Sequence, residues 1–244
     1  MRAQTRSEVE KFWCDLFGVT VERLWQRVTV LHPHTRLGDY EGWYVAWRGA
    51  GVHVSTPSSA DAADVASLAD ASPVDLQDPA FWQAFARQRQ LRVVGPALHH
   101  YLDEDPGVPV DVEQVDPVRL TLLKGRATPE EWEDCGIPEA LDEGGEALAI
   151  WGSTGDPDRP WVPALLGGAV LTETAGARRD IGVLVADDSR GKGVGLRLGQ
   201  GAASYAVQWH GWARWTARTV NEPSLRTAAR LGFEPYATAL AIKP

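Results

Sequence analysis

The sequence predicts a mixed α/β (α+β) fold, because strand-like and helix-like segments alternate along most of its 244 residues. Two places show this most clearly. Residues 181–185 form an apolar run that leads through a glycine-rich turn into residues 196–207, a segment that can be helical. Residues 43–47 and 52–55 flank the sequence Arg-Gly-Ala-Gly and read as two strands. The first pattern predicts a strand–turn–helix unit, and the second predicts a β-hairpin.

The composition is that of a globular protein without a membrane-spanning or secretory segment. Hydrophobic residues make up 44% of the chain, and no apolar run is long enough to span a bilayer. The N-terminus leads into charged residues rather than the apolar core of a signal peptide, so we expect a cytoplasmic protein. Cys14 and Cys135 lie far apart, which favours two reduced thiols over a disulfide or a metal pair.

Charge and histidine spacing argue against two further classes of partner. The net charge of −9 argues against general nucleic-acid binding. His32 lies two residues from His34 and His99 is next to His100, and neither pair has the spacing of a helical zinc motif. We therefore expect no metal, no nucleic acid and no membrane as partners.

The chain is expected to form two domains, residues 1–115 and residues 116–244. The linker is predicted within residues 103–116, which are rich in Asp, Glu, Pro and Val. In the second domain, residues 118–123 read as the first strand, and Thr128 caps the first helix. Further strands are predicted at residues 147–151, 165–173, 180–185, 212–220 and 237–242, with a loop rich in Gly, Asp and Pro at residues 152–160.

The turn after residue 185 contains a run of six residues: Arg190, Gly191, Lys192, Gly193, Val194 and Gly195. A strand, a glycine-rich turn and a helix together can hold a pyrophosphate, because glycines let the backbone approach the phosphates and the first helical amides point at them. A Walker-type loop is excluded, since Lys192 is followed by Gly193 instead of Ser or Thr. A dinucleotide fingerprint is excluded by the glycine spacing and by the absence of Asp and Glu from residues 205–217.

This loop resembles the acyl-CoA loop of the GNAT acetyltransferase superfamily, whose pattern is Arg or Gln, two variable residues, Gly, one variable residue, and Gly or Ala. The residues that match it position by position are Arg190, Gly193 and Gly195. The distal motif of that superfamily is Asn-x-x-Ala/Ser followed by a short helix that closes on Gly-Phe. Residues 221–233 resemble it, with Asn221 and Ser224 at the matching positions. The resemblance covers the second half of the chain.

Resemblance to this superfamily implies a mixed, mostly antiparallel central sheet flanked by helices, with acetyl-CoA as co-substrate. It implies an N-acetyltransferase in which the primary amine of a small molecule attacks the thioester directly in a ternary complex. Residues 1–115 are then either a degenerate GNAT-like domain, as in tandem members, or an unrelated α/β accessory domain.

The resemblance also implies roles for individual residues. The strand before the loop offers backbone groups to the thioester and the pantetheine arm, and its candidates are Val183, Leu184 and Val185, with Leu184 as the donor to the thioester carbonyl. Asp180, near the start of that strand, or Glu173, at the end of the preceding strand, is the expected base. The remaining cofactor-binding residues are Arg190, Gly191, Lys192, Gly193, Val194, Gly195, Asn221 and Ser224.

One position departs from the family pattern. The tyrosine that usually protonates the departing thiolate, four residues before the Gly of Gly-Phe, is Ala228 in this chain. Either Tyr205, Tyr236 or another group replaces it, or the thiolate leaves unaided. A catalytically weak acyl-CoA-binding or regulatory module is therefore an alternative function, and a peptide or protein N-terminus is an alternative acceptor.

Charge is distributed unevenly within the second half of the chain. Residues 178–230 contain nine basic and four acidic side chains, whereas residues 130–158 contain ten acidic side chains and no Lys or Arg. Because a polyanionic cofactor favours the first region, we expect the second to favour a cationic amine as acceptor. Five tryptophans are expected near the cleft, one or two of them lining it: Trp151, Trp161, Trp209, Trp212 and Trp215. The sequence leaves the oligomeric state open.

Overall fold

The structure, a computed structural model, describes residues 1–37, 40–153 and 163–244 of the chain. It divides into two compact units. The C-terminal unit consists of Met1, His100–Thr216 and Glu222–Glu234, and the N-terminal unit consists of Arg2–His99, Ala217–Asn221 and Pro235–Pro244. The division does not fall at the predicted boundary of residues 115 and 116, because residues 100–115 belong to the C-terminal unit and the end of the chain belongs to the N-terminal one. Most of the predicted loop at residues 152–160 lies outside the described residues.

The elements follow one another in a mixed order of helices and strands. The helices are α1 (Ala3–Phe17), α2 (Ala62–Asp70), α3 (Pro73–Gln77), α4 (Pro79–Gln88), α5 (Pro129–Asp134), α6 (Ile137–Glu143), α7 (Val194–His210) and α8 (Glu222–Arg230). The strands are β1 (Val28–Leu31), β2 (Trp43–Arg48), β3 (Gly51–Ser55), β4 (Arg92–Leu102), β5 (Glu113–Val115), β6 (Glu146–Ser153), β7 (Pro163–Thr174), β8 (Ala177–Val185), β9 (Ala213–Arg218) and β10 (Glu234–Lys243). Short 3₁₀ helices lie at Val21–Arg23, Pro117–Leu123 and Asp187–Ser189.

The strands of the N-terminal unit have the order β1-β3-β2-β10-β4. The predicted hairpin is confirmed, since β2 and β3 pair antiparallel with Val45 opposite Val54. Strand β10 pairs antiparallel with β2, and β1 pairs parallel with β3. Helices α2 to α4 bury Leu68, Leu76 and Trp82 in one hydrophobic cluster with these strands. This unit is therefore also α/β, and its interpretation as a degenerate GNAT-like domain stays a prediction.

The strands of the C-terminal unit have the order β9-β8-β7-β6-β5, and helices cover both faces of this sheet. Pairs β5/β6, β6/β7 and β7/β8 are antiparallel, whereas β8/β9 is parallel. A Cβ on Gly168 would lie 2.5 Å from the side chain of Leu120, in the 3₁₀ helix before α5. A Cβ on the adjacent Gly167 would lie 2.9 Å from Leu198 of α7. Because neighbouring residues of a strand face opposite sides, α7 packs on the face opposite that 3₁₀ helix. The predicted mixed α/β fold with a mostly antiparallel sheet is confirmed.

The predicted strand at residues 118–123 is wrong, because this segment is the 3₁₀ helix Pro117–Leu123. The Asp116 side chain caps the helix by accepting a hydrogen bond from the Val118 amide at 2.9 Å. Val118, Leu120 and Leu122 alternate as in a strand, but Val118 and Leu122 are 63% and 58% exposed. The fully buried leucines are Leu120 and Leu123, three residues apart, which is the spacing of a 3₁₀ turn.

Three other expectations concern the described residues. Thr128 caps α5 as predicted, and its hydroxyl accepts a hydrogen bond from the amide of Glu131 at 3.2 Å. Cys14 and Cys135 are free, buried thiols, as predicted, and burial raises the pKa of each to about 11. Among the described residues, no helix is long and apolar enough to cross a membrane.

Candidate active site

Strands β8 and β9 separate soon after they meet. Within the described residues, their parallel pairing is limited to Asp180 opposite Arg214. Strand β8 runs on from Asp180 to Val185, and over this stretch its partner is β7 on the other side. The edge of β8 that faces β9 is therefore open beyond residue 181, up to residue 185.

Backbone amides of β8 point into this opening. The amide of Ala186, just after the strand, donates to the carbonyl of Leu166 at 3.0 Å and thus faces β7. Because successive residues of a strand direct their N–H groups to opposite sides, Leu184 also faces β7, whereas Val183 and Val185 face the open edge. The strand therefore offers two backbone amides and two carbonyls to the opening.

The glycine-rich loop lies immediately after this edge and leads into α7. Gly191 and Gly193 have φ angles of 74° and 77°, a region that other residues rarely adopt. A Cβ on either glycine would meet no atom of the described residues within 4 Å, so these residues leave space beside the loop. Gly193 is the N-cap residue of α7 and makes no side-chain cap, so no side chain of the cap residue occupies the first helical amides. The loop and helix thus present backbone N–H groups and the positive end of the helix dipole.

The basic side chains of the loop are bound by protein groups. Arg190 Nη2 lies 2.8 Å from Glu131 Oε2 and 2.7 Å from Asp187 Oδ1. Lys192 Nζ donates to the carbonyl of Asp188 at 2.7 Å. The positive charge of Arg190 is therefore partly neutralised by carboxylates, whereas Lys192 contacts a neutral carbonyl.

Asp180 lies at the point where β8 and β9 begin to separate. Its carboxylate is 3.6 Å from Arg214 Nε and accepts a hydrogen bond from Thr216 Oγ1 at 3.5 Å. The side chains of Asp180 and Arg214 are 25% and 12% exposed. Burial raises the pKa of Asp180 above its usual value, and the positive charge of Arg214 opposes this rise. Asp180 is therefore a partly accessible carboxylate with an increased tendency to hold a proton.

The α5–α6 corner packs directly against β8 next to this carboxylate. A Cβ on Gly182 would lie 1.9 Å from the carbonyl oxygen of Cys135, so only glycine fits at this contact. On α6, burial is the largest of the causes that raise the pKa of Glu139, and the negative charges of Glu143 and Asp180 raise it further. Glu139 thus lies in the electrostatic field of Asp180. Neither Glu139 nor Arg214 was singled out from the sequence, since both approach Asp180 from separate elements.

The family comparison agrees with this geometry. The acetyltransferase (GNAT) family model matches residues 119–233. This segment is a GNAT acetyltransferase domain. No curated protein sequence matches the chain.

Three of the solved structures similar to the chain align over different shares of it. A Drosophila protein aligns over 87% of this chain and 78% of its own, with 12% identity and a TM-score of 0.50. A putative GNAT acetyltransferase from Novosphingobium aromaticivorans aligns over 63% and 68%, with 13% identity and a TM-score of 0.49. A GCN5-related N-acetyltransferase-like protein from Streptococcus suis aligns over 98% and 99%, with 14% identity and a TM-score of 0.46. At 12% identity, the similarity to the Drosophila protein shows the fold alone.

The predicted residues of the GNAT domain are only partly brought together. Asp180, Val183, Val185 and the loop from Arg190 to Gly195 follow one another along one strand and turn. Glu173 is exposed, and its neighbour Thr174 is the residue that contacts Arg214, at 3.0 Å from Oγ1 to Nη1. Ser224 Oγ accepts a hydrogen bond from Trp215 Nε1 at 3.0 Å, and the Asn221 amide donates to the carbonyl of Arg218 at 2.9 Å. Their cofactor-binding roles stay predictions.

In this chain an alanine occupies the position at which the family usually has its proton-donating tyrosine. Ala228 of α8 is fully buried. Two tyrosines were candidates to replace the family tyrosine. Tyr205 forms a hydrogen bond with Glu146, and this bond is the largest of the causes that raise the pKa of Tyr205. Tyr236 belongs to the N-terminal unit, where it stacks on Trp13 at a ring distance of 6.4 Å. Neither tyrosine is connected to the open edge of β8 by a described contact.

Other side chains expected at the cleft have different surroundings. Trp212 and Trp215 are buried, Trp151 packs against the core, and Trp209 on α7 is 70% exposed, while Trp161 lies outside the described residues.

Within the described part of the chain, no group of three or more His, Cys, Asp or Glu side chains could hold a metal ion.

Proposed function

We propose that the GNAT domain transfers an acetyl group from acetyl-CoA to the primary amine of a small molecule, by direct attack in a ternary complex. The observation that carries this proposal is the open edge of β8, which leads through the short 3₁₀ helix Asp187–Ser189 into the glycine-rich loop and the start of α7. An extended thioester and a pyrophosphate need these two kinds of backbone surface in this order.

The backbone provides the contacts for acetyl-CoA. Gly191 and Gly193 leave space for the pyrophosphate beside the loop, and the first amides of α7, which follow Gly193, carry the positive end of the helix dipole. The edge of β8 offers the groups that pair with the pantetheine arm and with the thioester carbonyl. We assign this role to Val183 and Val185, because the amide of Leu184 faces β7. These amides donate hydrogen bonds to the carbonyl oxygen as it gains negative charge.

Asp180 is the residue that we assign as the general base. It accepts the proton that the acceptor amine loses when its nitrogen bonds to the acetyl carbon and the carbon–sulfur bond breaks. Its raised pKa suits this role, since a base works best when its pKa approaches the working pH. The positive charge of Arg214 favours the ionised form of this carboxylate, which is the form that acts as a base.

We propose that the acceptor is cationic. Some of the acidic residues between 130 and 158 do not contribute to this proposal, because they are paired with arginines or lie outside the described residues. Glu131 and Glu146 form ion pairs with Arg190 and Arg178, so their charges are already balanced. Asp156 and Asp158 lie outside the described residues. Glu139 interacts electrostatically with Asp180, so in its ionised form it adds to the negative charge that would attract an ammonium group there.

A thiol-release assay over a panel of amines tests the proposed function. The panel comprises a polyamine, an aminoglycoside, neutral amines, acidic amino acids and a short peptide with a free N-terminus. We expect acetyl-CoA-dependent turnover, fastest with the cationic small molecules at low salt and less selective at high salt. Faster turnover of an acidic acceptor would contradict the cationic acceptor and leave the acetyltransferase proposal intact. Faster turnover of the peptide would favour a protein N-terminus over a small molecule as the acceptor.

A catalytically weak acyl-CoA-binding module is the second candidate. It is favoured by the buried Ala228 at the position where the family has its proton donor. Loss of a general acid costs about 10²- to 10⁴-fold in rate, so slow turnover is compatible with both functions. Saturable acetyl-CoA binding without thiol release for any amine of the panel would favour this second function.

A further inference from the structure

The glycine-rich loop is tied to the first helix of the GNAT domain through Arg190. Its guanidinium lies between two carboxylates, Glu131 on α5 and Asp187 in the turn before the loop, at 2.8 and 2.7 Å. Glu131 is 59 residues away in sequence, so this contact joins distant parts of the domain. We call the group of Arg190, Glu131 and Asp187 the loop clamp.

Glu131 is itself fixed by the capping box of α5. The amide and hydroxyl of Thr128 donate to Glu131 Oε2 at 2.9 and 3.0 Å, the same oxygen that accepts the bond from Arg190. The hydrogen bond from Arg190 is the largest of the causes that lower the pKa of Glu131 to about 2. The carboxylate therefore stays ionised at neutral pH and holds Arg190 from a rigid helix end.

A second connection joins the same two segments. Arg126 binds both carboxylate oxygens of Asp188 at 2.7 and 2.8 Å, and its other nitrogen donates to the carbonyl of Leu165 at 2.5 Å. The amide of Asp187 donates to the carbonyl of Arg126 at 2.9 Å. The turn before the loop is thus attached to the segment that leads into α5.

These contacts pair the arginines around the loop with carboxylates. Arg126 pairs with Asp188, and Arg190 pairs with Glu131 and Asp187, whereas Lys192 contacts the backbone carbonyl of Asp188. A phosphate group would have to compete with these carboxylates for the guanidinium of Arg190. A Cβ on Gly191 or Gly193 would meet no atom of the described residues within 4 Å, so a phosphate has room beside these two glycines.

We propose that Glu131 is a positioning residue for the glycine-rich loop. It holds Arg190 and thereby fixes the loop in the conformation that presents its backbone amides. Arg190 then acts through the loop clamp and not as a phosphate ligand. This inference rests on the proposed function for the identity of the ligand. The ordering of the free loop does not depend on that identity.

Hydrogen exchange in the free protein tests the clamp without any ligand. In Glu131→Gln the charge is removed, while the amide oxygen can still accept the capping bonds from Thr128. The matched control is Glu133→Gln, an exposed position on the same helix. We expect amides of residues 191–196 to exchange about fivefold faster in Glu131→Gln and unchanged in Glu133→Gln. Equal exchange in the two variants would overturn the proposal.

Acetyl-CoA affinity in a double-mutant cycle tests how Arg190 acts. If Arg190 works through Glu131, then Glu131→Gln and Arg190→Gln each weaken acetyl-CoA binding by about fivefold, and the double variant is no weaker than either single variant. If Arg190 binds the phosphates independently, the two losses multiply, and the proposal is wrong. Absence of acetyl-CoA binding by the wild-type chain would contradict the proposed function, whereas the exchange experiment would still decide the clamp.

Discussion

The glycine-rich loop and the surroundings of Asp180 serve the same proposed reaction but are built in different ways. The loop uses backbone groups: Gly191 and Gly193 have positive φ angles, and the space beside them is empty of protein. The Asp180 site uses side chains from separate strands, with Arg214 at 3.6 Å and Thr216, 36 residues away, at 3.5 Å. The first site is local in sequence, and the second depends on the fold.

This difference determines how each site responds to change. A backbone site has no proton to gain or lose, so its function is sensitive to added atoms and insensitive to pH. A carboxylate with a shifted pKa responds to pH and to every charge near it. Substitutions in the loop should therefore change acetyl-CoA binding, and substitutions around Asp180 should change the rate and its pH dependence.

The largest effect is expected from Asp180→Asn. This change keeps the size of the side chain and removes the base, so kcat should fall by about 10²- to 10⁴-fold. Acetyl-CoA affinity, measured by calorimetry, should stay the same. The control is Glu173→Gln at the exposed alternative position, for which we expect little change in kcat. A larger loss in Glu173→Gln than in Asp180→Asn would exchange the two assignments.

The next largest effect is expected from Gly193→Glu. The new side chain strains a backbone with φ of 77° and places a negative charge in the space assigned to the pyrophosphate, so acetyl-CoA binding should weaken by about 100-fold. Gly176→Glu is the matched control, because Gly176 has φ of 74°, has equally open surroundings and lies in the β7–β8 turn. Similar losses in both variants would mean that strain alone, and not the loop, accounts for the effect.

A smaller effect, seen as a shift in pH dependence, is expected from Arg214→Gln. Arg214 favours the ionised form of Asp180, so its removal should raise the pKa of Asp180 further. At a given pH more of the base is then protonated, and the acid limb of the kcat/KM profile should move to higher pH. Arg226→Gln on the exposed face of α8 removes the same charge and should leave the limb in place. A shift to lower pH would contradict the assignment of Asp180.

The smallest effect is expected from Tyr205→Phe. The phenol already interacts with Glu146, and no described contact connects it to the open edge of β8. Turnover in the thiol-release assay should therefore stay within about twofold of the wild type. A loss of about 100-fold or more would identify Tyr205 as the general acid that replaces the family tyrosine.

The sequence predicts the loop well and the Asp180 site poorly, for a physical reason. Positive φ angles at Gly191 and Gly193 follow from the residues themselves, so the strand, loop and helix could be predicted in order. The partners of Asp180 and Arg190 come from β9, α5 and α6, and pairing between distant elements leaves no local pattern. Even the direction of the Leu184 amide could be established only from the hydrogen bond between Ala186 and Leu166. That bond shows which residues of β8 face β7 and which face the open edge.

The fold itself shows the same limit. Long strands such as β7 and β8 and the helix after the loop were predicted from their own residues. The segment at residues 118–123 was assigned as a strand from its alternating apolar residues, and its 3₁₀ turn depends on the cap from Asp116. The strand order, in which the last strand β10 lies between β2 and β4, follows from pairing over long distances along the chain.

Calorimetric titration of the wild-type chain with acetyl-CoA tests the central claim most directly. In the proposed function, the open edge of β8 and the loop that follows it form one backbone surface for this ligand. We predict saturable binding of one acetyl-CoA per chain with a dissociation constant of micromolar order, the usual range for such co-substrates. Absence of saturable binding up to about 1 mM would contradict the account.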